Sequence, residues 1–218
     1  MNGSTTATTV TTVGDQVRGA VNVDIAPGGT VDCVFSNRPV ATLTLVKNVA
    51  FGSAPASAWQ LAATRSIPTA LAGPAGAGGS AALAAVTVSA DTAYRLSETG
   101  GSATYVQVGT WVCATAGGVA VPVTAAGDVT LTRGTSVTCI VTNATASLTL
   151  LKNVQNPSPG FQPSTWNLTA TPATLAGLAP TTVAGADYTT IGNGNLASTF
   201  EVRPGHTYTL SEALAQSG

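Results

Sequence analysis

The sequence is poor in charge, and this scarcity excludes several classes of function. Only 8% of its 218 residues are charged, against roughly 25% in an average soluble domain. The formal net charge of −1 gives no basic surface for nucleic acid or for an anionic membrane. No run of about 18 apolar residues occurs, so we expect no insertion into a bilayer. The only histidine, His206, lies in the turn-like segment RPGHTY without a cysteine or serine constellation, so we expect neither a metal nor a cofactor.

The residues that are abundant predict an all-β fold. Thr, Val, Ala and Gly dominate the sequence, and turn residues recur about every eight to twelve positions, which is typical of short strands joined by tight turns. Helical apolar periodicity is scarce. The Ala/Gly-rich stretches 67–82 and 172–197 are expected to be surface loops.

A domain-sized repeat organises the chain. The two lysines stand in near copies of one segment, LTLVKNV at 43–49 and LTLLKNV at 148–154, and the tyrosines of YRLSE and YTLSE are 114 residues apart (208 minus 94). The paired positions are Asn37 and Asn143, Lys47 and Lys152, Trp59 and Trp166, Tyr94 and Tyr208, and Glu98 and Glu212. We therefore predict the end of a preceding repeat at 1–40, a complete central repeat at 41–144, and the beginning of a following repeat at 145–218.

The lysines are predicted to face a protein core. In a strand, alternate residues share a face, so Leu43, Leu45 and Lys47 point the same way. Lysine is rarely buried without a partner. Both lysines of this chain lie on apolar faces. Each buried amine therefore needs a polar or charged partner in the core.

Two further motifs supply such groups. Glu98 ends the apolar face of YRLSE, and Glu212 ends that of YTLSE. The segments DCVFSN and TCIVTN end in Asn37 and Asn143, each on the face of a preceding cysteine. A lysine, a glutamate and an asparagine therefore end three apolar strand faces of the central repeat.

This order of motifs resembles the B-type repeat domain of collagen-binding adhesins and the SpaA-like prealbumin-fold pilin domains. The resemblance implies tandem Greek-key β-sandwich modules of the prealbumin or immunoglobulin-like type, one complete and two partial. It also implies an internal isopeptide bond between a lysine of the first strand and an asparagine of the last strand, assisted by a glutamate. Carried over, Lys47 matches the amine donor, Glu98 the catalytic acid and base, and Asn143 the acceptor.

Elementary chemistry agrees with these roles. Burial lowers the pKa of a lysine and frees the lone pair of its amine. A buried carboxylic acid can polarise an amide carbonyl and carry a proton to the departing ammonia. Facing strands supply the proximity that a slow amide exchange needs. Such a reaction runs once per domain, so the protein is not expected to be an enzyme with turnover.

Simpler interpretations remain open. Lys47 and Glu98 could form a buried ion pair beside a hydrogen-bonded Asn143 without any bond. Cys113 and Cys139 could form a disulfide, which would imply an oxidising compartment, or remain two buried thiols.

The partial repeats permit a second hypothesis. Lys152 and Glu212 have no acceptor in their repeat, and Asn37 has no donor. Neighbouring copies could therefore join head to tail, with Lys152 of one linked to Asn37 of the next. The alternative is ordinary truncation of a longer tandem array.

The predicted function is mechanical. We expect a stalk or fibre segment of a bacterial surface adhesin or pilus, located outside the cell at its surface or wall, whose partners are neighbouring copies or repeats. The alternative is a ligand-binding adhesin module that contacts host matrix or glycan through the loops 67–82 or 172–197.

Overall fold

The computed structural model describes residues 24–32, 38–155, 162–187 and 198–215. Contacts divide the chain into two units, Met1–Asn37 and Arg38–Gly218. Within the first unit, the described residues contain a turn in which the Gly29 amide donates to the Ala26 carbonyl at 2.9 Å. Asn37, the predicted acceptor of the preceding repeat, lies outside the described residues.

The central repeat consists of ten strands and two 3₁₀ helices. The strands are β1 (Val40–Phe51), β2 (Trp59–Arg65), β3 (Ala75–Ala77), β4 (Val86–Ser89), β5 (Ala93–Gly100), β6 (Val106–Gln107), β7 (Val112–Thr115), β8 (Ala120–Val121), β9 (Asp128–Thr130) and β10 (Ser136–Ala144). The 3₁₀ helices are Ala56–Ala58 and Ala81–Leu83.

These strands form two sheets. One has the order β4-β1-β10-β7-β8, with β6 also paired to β10, and the other has the order β3-β2-β5-β9. The first strand β1 and the last strand β10 are parallel neighbours, whereas β1 and β4 are antiparallel. The all-β prediction is confirmed.

The core lies between the two sheets because the strands alternate apolar and polar residues. Leu43 and Leu45 of β1, Leu61 of β2, and Cys139 and Val141 of β10 are all buried in one cluster. Period-2 alternation in the sequence therefore predicted the inward face of β1 and β10.

The segment 67–82 differs from the surface loop that its composition predicts. It contains β3, which pairs with β2, and its residue Ala70 is buried, as is the adjacent Leu83. The Tyr94 hydroxyl donates to the Leu71 carbonyl at 2.8 Å. Alanine and glycine are small enough to pack closely on the sandwich. A segment rich in them can therefore be buried, even though its low sequence complexity is typical of a loop.

The following repeat contains seven described strands. They are β11 (Ala146–Thr149), β12 (Leu151–Lys152), β13 (Trp166–Pro172), β14 (Thr181–Ala184), β15 (Ala186–Asp187), β16 (Thr199–Val202) and β17 (Tyr208–Leu214). A 3₁₀ helix spans Pro163–Thr165. The β13-β17 pairing sets Leu168 opposite Glu212, as the β2-β5 pairing sets Leu61 opposite Glu98. The two segments therefore share the same leucine–glutamate pairing.

Candidate functional site

Lys47 is buried in the core of the central repeat. It lies on β1 on the face of Leu43 and Leu45, and its side chain is 0% exposed. Its Nζ lies 4.6 Å from the centre of the Trp59 ring, within the range of a cation–π contact. The amine is therefore enclosed by an aromatic face and by the strands of the sandwich.

Glu98 reaches this amine from the opposite sheet. Its carboxylate oxygen Oε2 lies 2.9 Å from Lys47 Nζ, and the Glu98 side chain is 10% exposed. The other oxygen, Oε1, accepts a hydrogen bond of 2.6 Å from Asn143 Nδ2. One carboxylate thus contacts both groups that the proposed bond would join.

The register of two parallel strands brings Lys47 and Asn143 to one place. Lys47 pairs with Val141, and Asn143 stands two residues farther along β10, opposite Val49. Residues two apart in a strand share a face, so Asn143 points into the core beside Lys47. The structure therefore brings together all three residues predicted for the central site.

The electrostatics of the site suit an amine nucleophile. Burial lowers the pKa of Lys47 below its ordinary value of 10.5, against the opposing effect of the nearby Glu98 carboxylate. The 2.9 Å contact is close enough for an ion pair, but Lys47 Nζ and Glu98 Oε2 lack the alignment of a hydrogen bond. The Asn143 Oδ1 atom is also buried without a hydrogen-bond partner. A buried polar atom without a partner is costly, so this arrangement leaves the Asn143 carbonyl oxygen without stabilisation.

Two features of the site were not predicted as parts of it. A Cβ on Gly78 would lie 2.3 Å from the Ala56 carbonyl oxygen and 2.9 Å from Lys47 Cβ. In the following repeat, a Cβ on Gly185 would lie 3.0 Å from Lys152 Cβ. The Gly185 Cβ would also lie 2.4 Å from the Pro163 carbonyl oxygen. Close approach to a backbone carbonyl therefore excludes a side chain at both positions. The signal was present in the paired positions of these glycines but was hidden among many other glycines.

The following repeat has the same lysine and glutamate in a more open setting. Lys152 Nζ lies 2.6 Å from Glu212 Oε2 and 4.0 Å from the centre of the Trp166 ring. The side chains of Lys152 and Glu212 are 15% and 49% exposed. Beside them is a groove of about 420 Å³, lined in part by Leu168, Leu210 and Glu212.

The described residues hold one disulfide. Cys113 of β7 and Cys139 of β10 are directly paired across the sheet, with their Cα atoms 4.0 Å apart, and their sulfurs are bonded. Cys139 also contributes to the core next to Val141. The disulfide thus holds the last strand in the sheet from the side opposite β1.

His206 follows the turn at 204–205. Its Nε2 lies 2.8 Å from the Ala173 carbonyl oxygen, and its ring meets Tyr208 edge to face. In the described ranges, no group of three or more His, Cys, Asp and Glu side chains could hold a metal ion.

The two-sheet fold and its repetition define a class of β-sandwich modules. A model of the prealbumin-like fold domain, of the SpaA type, matches residues 38–141 and 143–218. The chain therefore belongs to the SpaA-like prealbumin-fold family, as the sequence motifs predicted. No curated protein and no solved structure matches it significantly.

Family membership establishes the type of module. Domains of this family are typically modules of extracellular surface proteins of the adhesin and pilin type, and they are generally not enzymes. The chain is a module of that surface type. Within the part of the chain that the structure describes, no helix is long and apolar enough to cross a membrane.

Proposed function

We propose that this chain is a stalk or fibre segment of a bacterial surface adhesin or pilus, stiffened by an isopeptide bond between Lys47 and Asn143. The observation that carries this proposal is the single Glu98 carboxylate, which lies 2.9 Å from the Lys47 amine and 2.6 Å from the Asn143 amide. A buried ion pair alone would leave the Asn143 carbonyl oxygen without a partner. Amide formation would consume the buried charges and so remove their desolvation cost.

The reaction begins with a proton transfer. A proton passes from the Lys47 ammonium to the Glu98 carboxylate, which gives a neutral amine and a carboxylic acid. Burial favours this neutral pair because it disfavours charge on Lys47. Rotation of the Asn143 amide by half a turn, which exchanges its oxygen and nitrogen positions, lets the Glu98 acid donate to the carbonyl oxygen.

Bond formation and bond cleavage then follow on the same carbon. The Lys47 lone pair attacks Cγ of Asn143, and the new C–N bond forms as the carbonyl becomes tetrahedral. Glu98 takes a proton from the attacking nitrogen and delivers one to the departing nitrogen. The C–N bond to the side-chain nitrogen breaks, and one ammonia leaves. No oxidant, metal or cofactor takes part.

The position of the bond explains a mechanical role. The central repeat enters at the start of β1 and leaves at the end of β10, and these strands are parallel neighbours. Tension on the two ends would pull the strands past each other. With the bond in place, force would pass from Lys47 directly to Asn143. The chain between these residues would carry no load.

We further propose that the second site joins neighbouring copies. Lys152 and Glu212 are paired, and the half-exposed Glu212 borders an open apolar groove. The segment 31–37, VDCVFSN, has the alternation and terminal asparagine of 137–143, VTCIVTN. Asn37 of a neighbouring copy would supply the acceptor by strand addition along the open face. Residues 33–37 lie outside the described residues, so their sequence alone supports this role for Asn37.

The ligand-binding alternative has less support. It requires exposed recognition residues on the loops, whereas 67–82 contributes β3 and the buried Ala70 to the sandwich. The stalk is therefore the function that the geometry supports best.

Intact-mass spectrometry of the denatured and reduced protein tests both parts. The monomer should be lighter than its sequence by one ammonia, and Lys47→Ala and Glu98→Ala should each restore the full mass. Covalent multimers that survive reduction should disappear in Lys152→Ala, while the ammonia loss of the monomer remains. A wild-type monomer of full sequence mass would contradict the isopeptide mechanism, and an absence of such multimers would contradict head-to-tail joining.

A further inference from the structure

Tyr105 lies behind the aromatic wall of the Lys47 site. Its ring meets the Trp59 ring edge to face with centroids 5.3 Å apart, and Trp59 in turn covers Lys47 Nζ at 4.6 Å. Tyr105 and Trp59 are both buried. A displacement of Tyr105 would therefore be transmitted to the ring that holds the amine.

The Tyr105 hydroxyl is held by a residue of the following repeat. It lies 3.2 and 3.1 Å from the two carboxylate oxygens of Glu201 on β16, to which it donates. It also accepts a hydrogen bond of 2.9 Å from the Ala54 amide. The Ser53 amide donates to Glu201 Oε1 at 2.6 Å. One carboxylate of the following repeat thus fixes both the tyrosine and the loop after β1.

Arg203 holds the backbone around the same tyrosine. Its guanidinium donates to the carbonyl of Ala103 at 2.6 Å and to that of Tyr105 at 2.9 Å. Next to it, the Thr145 hydroxyl donates to the Val202 carbonyl at 2.8 Å. The end of β16 therefore anchors the segment that carries Tyr105.

This anchor is specific to the joint between these two repeats. The corresponding positions in the central repeat, 114 residues earlier, are Thr87 and Ser89, which carry neither charge. In the part of the chain that the structure describes, Glu98 and Glu212 each contact a lysine amine, whereas Glu201 contacts neither. In a chain with three glutamates, a carboxylate placed at a repeat joint calls for a functional explanation.

We propose that Glu201 and Arg203 are positioning residues for the crosslink of the preceding repeat. Acting through Tyr105 and Trp59, they hold the Lys47 amine in the orientation for attack. The inference rests on the proposed Lys47–Asn143 bond and adds a dependence between neighbouring repeats. The central repeat reaches its full rate of crosslinking only after β16 of the following repeat has docked. The order of maturation is thus coupled to the order of assembly.

The rate of ammonia loss in the full chain tests this coupling. Cell-free synthesis is stopped in denaturant at intervals, and intact mass gives the fraction of crosslinked chains. Glu201→Ala should slow crosslinking at least about tenfold, because small misplacements of reacting groups have effects of this size. Glu201→Gln should remain close to wild type, since its amide oxygen still accepts from Tyr105 and Ser53.

Two further variants separate positioning from a general loss of stability. Tyr105→Phe keeps the ring but removes the hydroxyl that Glu201 holds, and it should also slow the reaction. Thr182→Ala is the matched control, because Thr182 lies in the same repeat and its hydroxyl is hydrogen-bonded to that of Thr169 at 2.8 Å; it should leave the Lys47 reaction unchanged.

The results distinguish this inference from the proposed function. Equal rates for wild type and Glu201→Ala would overturn the positioning role while leaving the bond itself intact. Equal slowing by Glu201→Ala and Glu201→Gln would also overturn it, because the effect would not depend on the hydrogen-bond acceptor. A wild-type chain that never loses ammonia would refute the bond and the positioning role together.

Discussion

Replacing Lys47 with methionine would remove the proposed crosslink while keeping an unbranched side chain of similar length in the core. The bond would close a loop of 96 residues (143 minus 47) between neighbouring strands. By the chain-entropy relation for crosslinks, a loop of this size stabilises the folded state by about 4–5 kcal/mol. The substitution Lys47→Met should therefore lower the free energy of unfolding of the central repeat by about this amount.

A second variant separates the crosslink from the buried charge. Glu98→Gln also prevents bond formation, but it leaves the buried Lys47 amine without its carboxylate. An unpaired buried charge costs about 3–5 kcal/mol, so Glu98→Gln should be less stable than Lys47→Met. The order of stability should be wild type, then Lys47→Met, then Glu98→Gln.

Urea unfolding measured by tryptophan fluorescence provides the assay, because Trp59 is buried beside the site and Trp111 lies in the same core. For a domain of this size, a loss of 4–5 kcal/mol corresponds to a fall in Tm of roughly 20–35 °C, which thermal unfolding would check independently. A Lys47→Met protein within about 1 kcal/mol of wild type, the scale of an ordinary substitution, would refute the crosslink as a source of stability.

Three other predictions concern the same repeat. The crosslinking rate, measured by intact mass at timed intervals, should fall at alkaline pH with a midpoint below 10.5. The reaction needs the one proton that Lys47 and Glu98 share, and burial lowers the pKa of Lys47. A rate that keeps rising through pH 10.5 would contradict this. Gly78→Ala should destabilise the repeat by about 1–3 kcal/mol through overpacking, as measured by urea unfolding, and it should also slow crosslinking. The control Gly117→Ala should do neither, because its Cβ would meet only one atom, at 3.9 Å. Replacing both Cys113 and Cys139 with alanine removes the disulfide, which closes a loop of 26 residues, and should lower the free energy of unfolding by about 3.5 kcal/mol. The variant should still lose ammonia. If it kept its full sequence mass, the crosslink would depend on the disulfide, contrary to this prediction.

Local alternation predicted much of the fold and part of the site. The pattern of β1 alone predicted that Leu43, Leu45 and Lys47 share the buried face, because the strand period places alternate residues together. The association of Glu98 with Asn143 came instead from the resemblance to a family, since no local pattern reveals which strands pair. Chain order does not show that β1 and β10 run parallel.

Contacts distant in sequence account for what could not be predicted. Glu201 lies 148 residues from Ser53 and 96 from Tyr105, and nothing in its own strand distinguishes it from a surface residue. The close approach at Gly78 depends on the position of the Ala56 carbonyl, which the sequence does not specify. The burial of Ala70 was not predicted either, because an alanine- and glycine-rich composition does not distinguish a buried residue from a loop residue.

Tandem mass spectrometry of a tryptic digest of the reduced protein, in which the Cys113–Cys139 disulfide no longer links peptides, tests the central claim most directly. Trypsin does not cleave after a modified lysine or between Arg38 and Pro39, so a Lys47–Asn143 bond would join the peptides Gly19–Arg65 and Gly134–Lys152. The account predicts one branched species with the summed mass of these peptides less one ammonia, and fragmentation that places the link on Lys47 and Asn143. Recovery of a peptide ending at Lys47 together with an unmodified Gly134–Lys152 would contradict it.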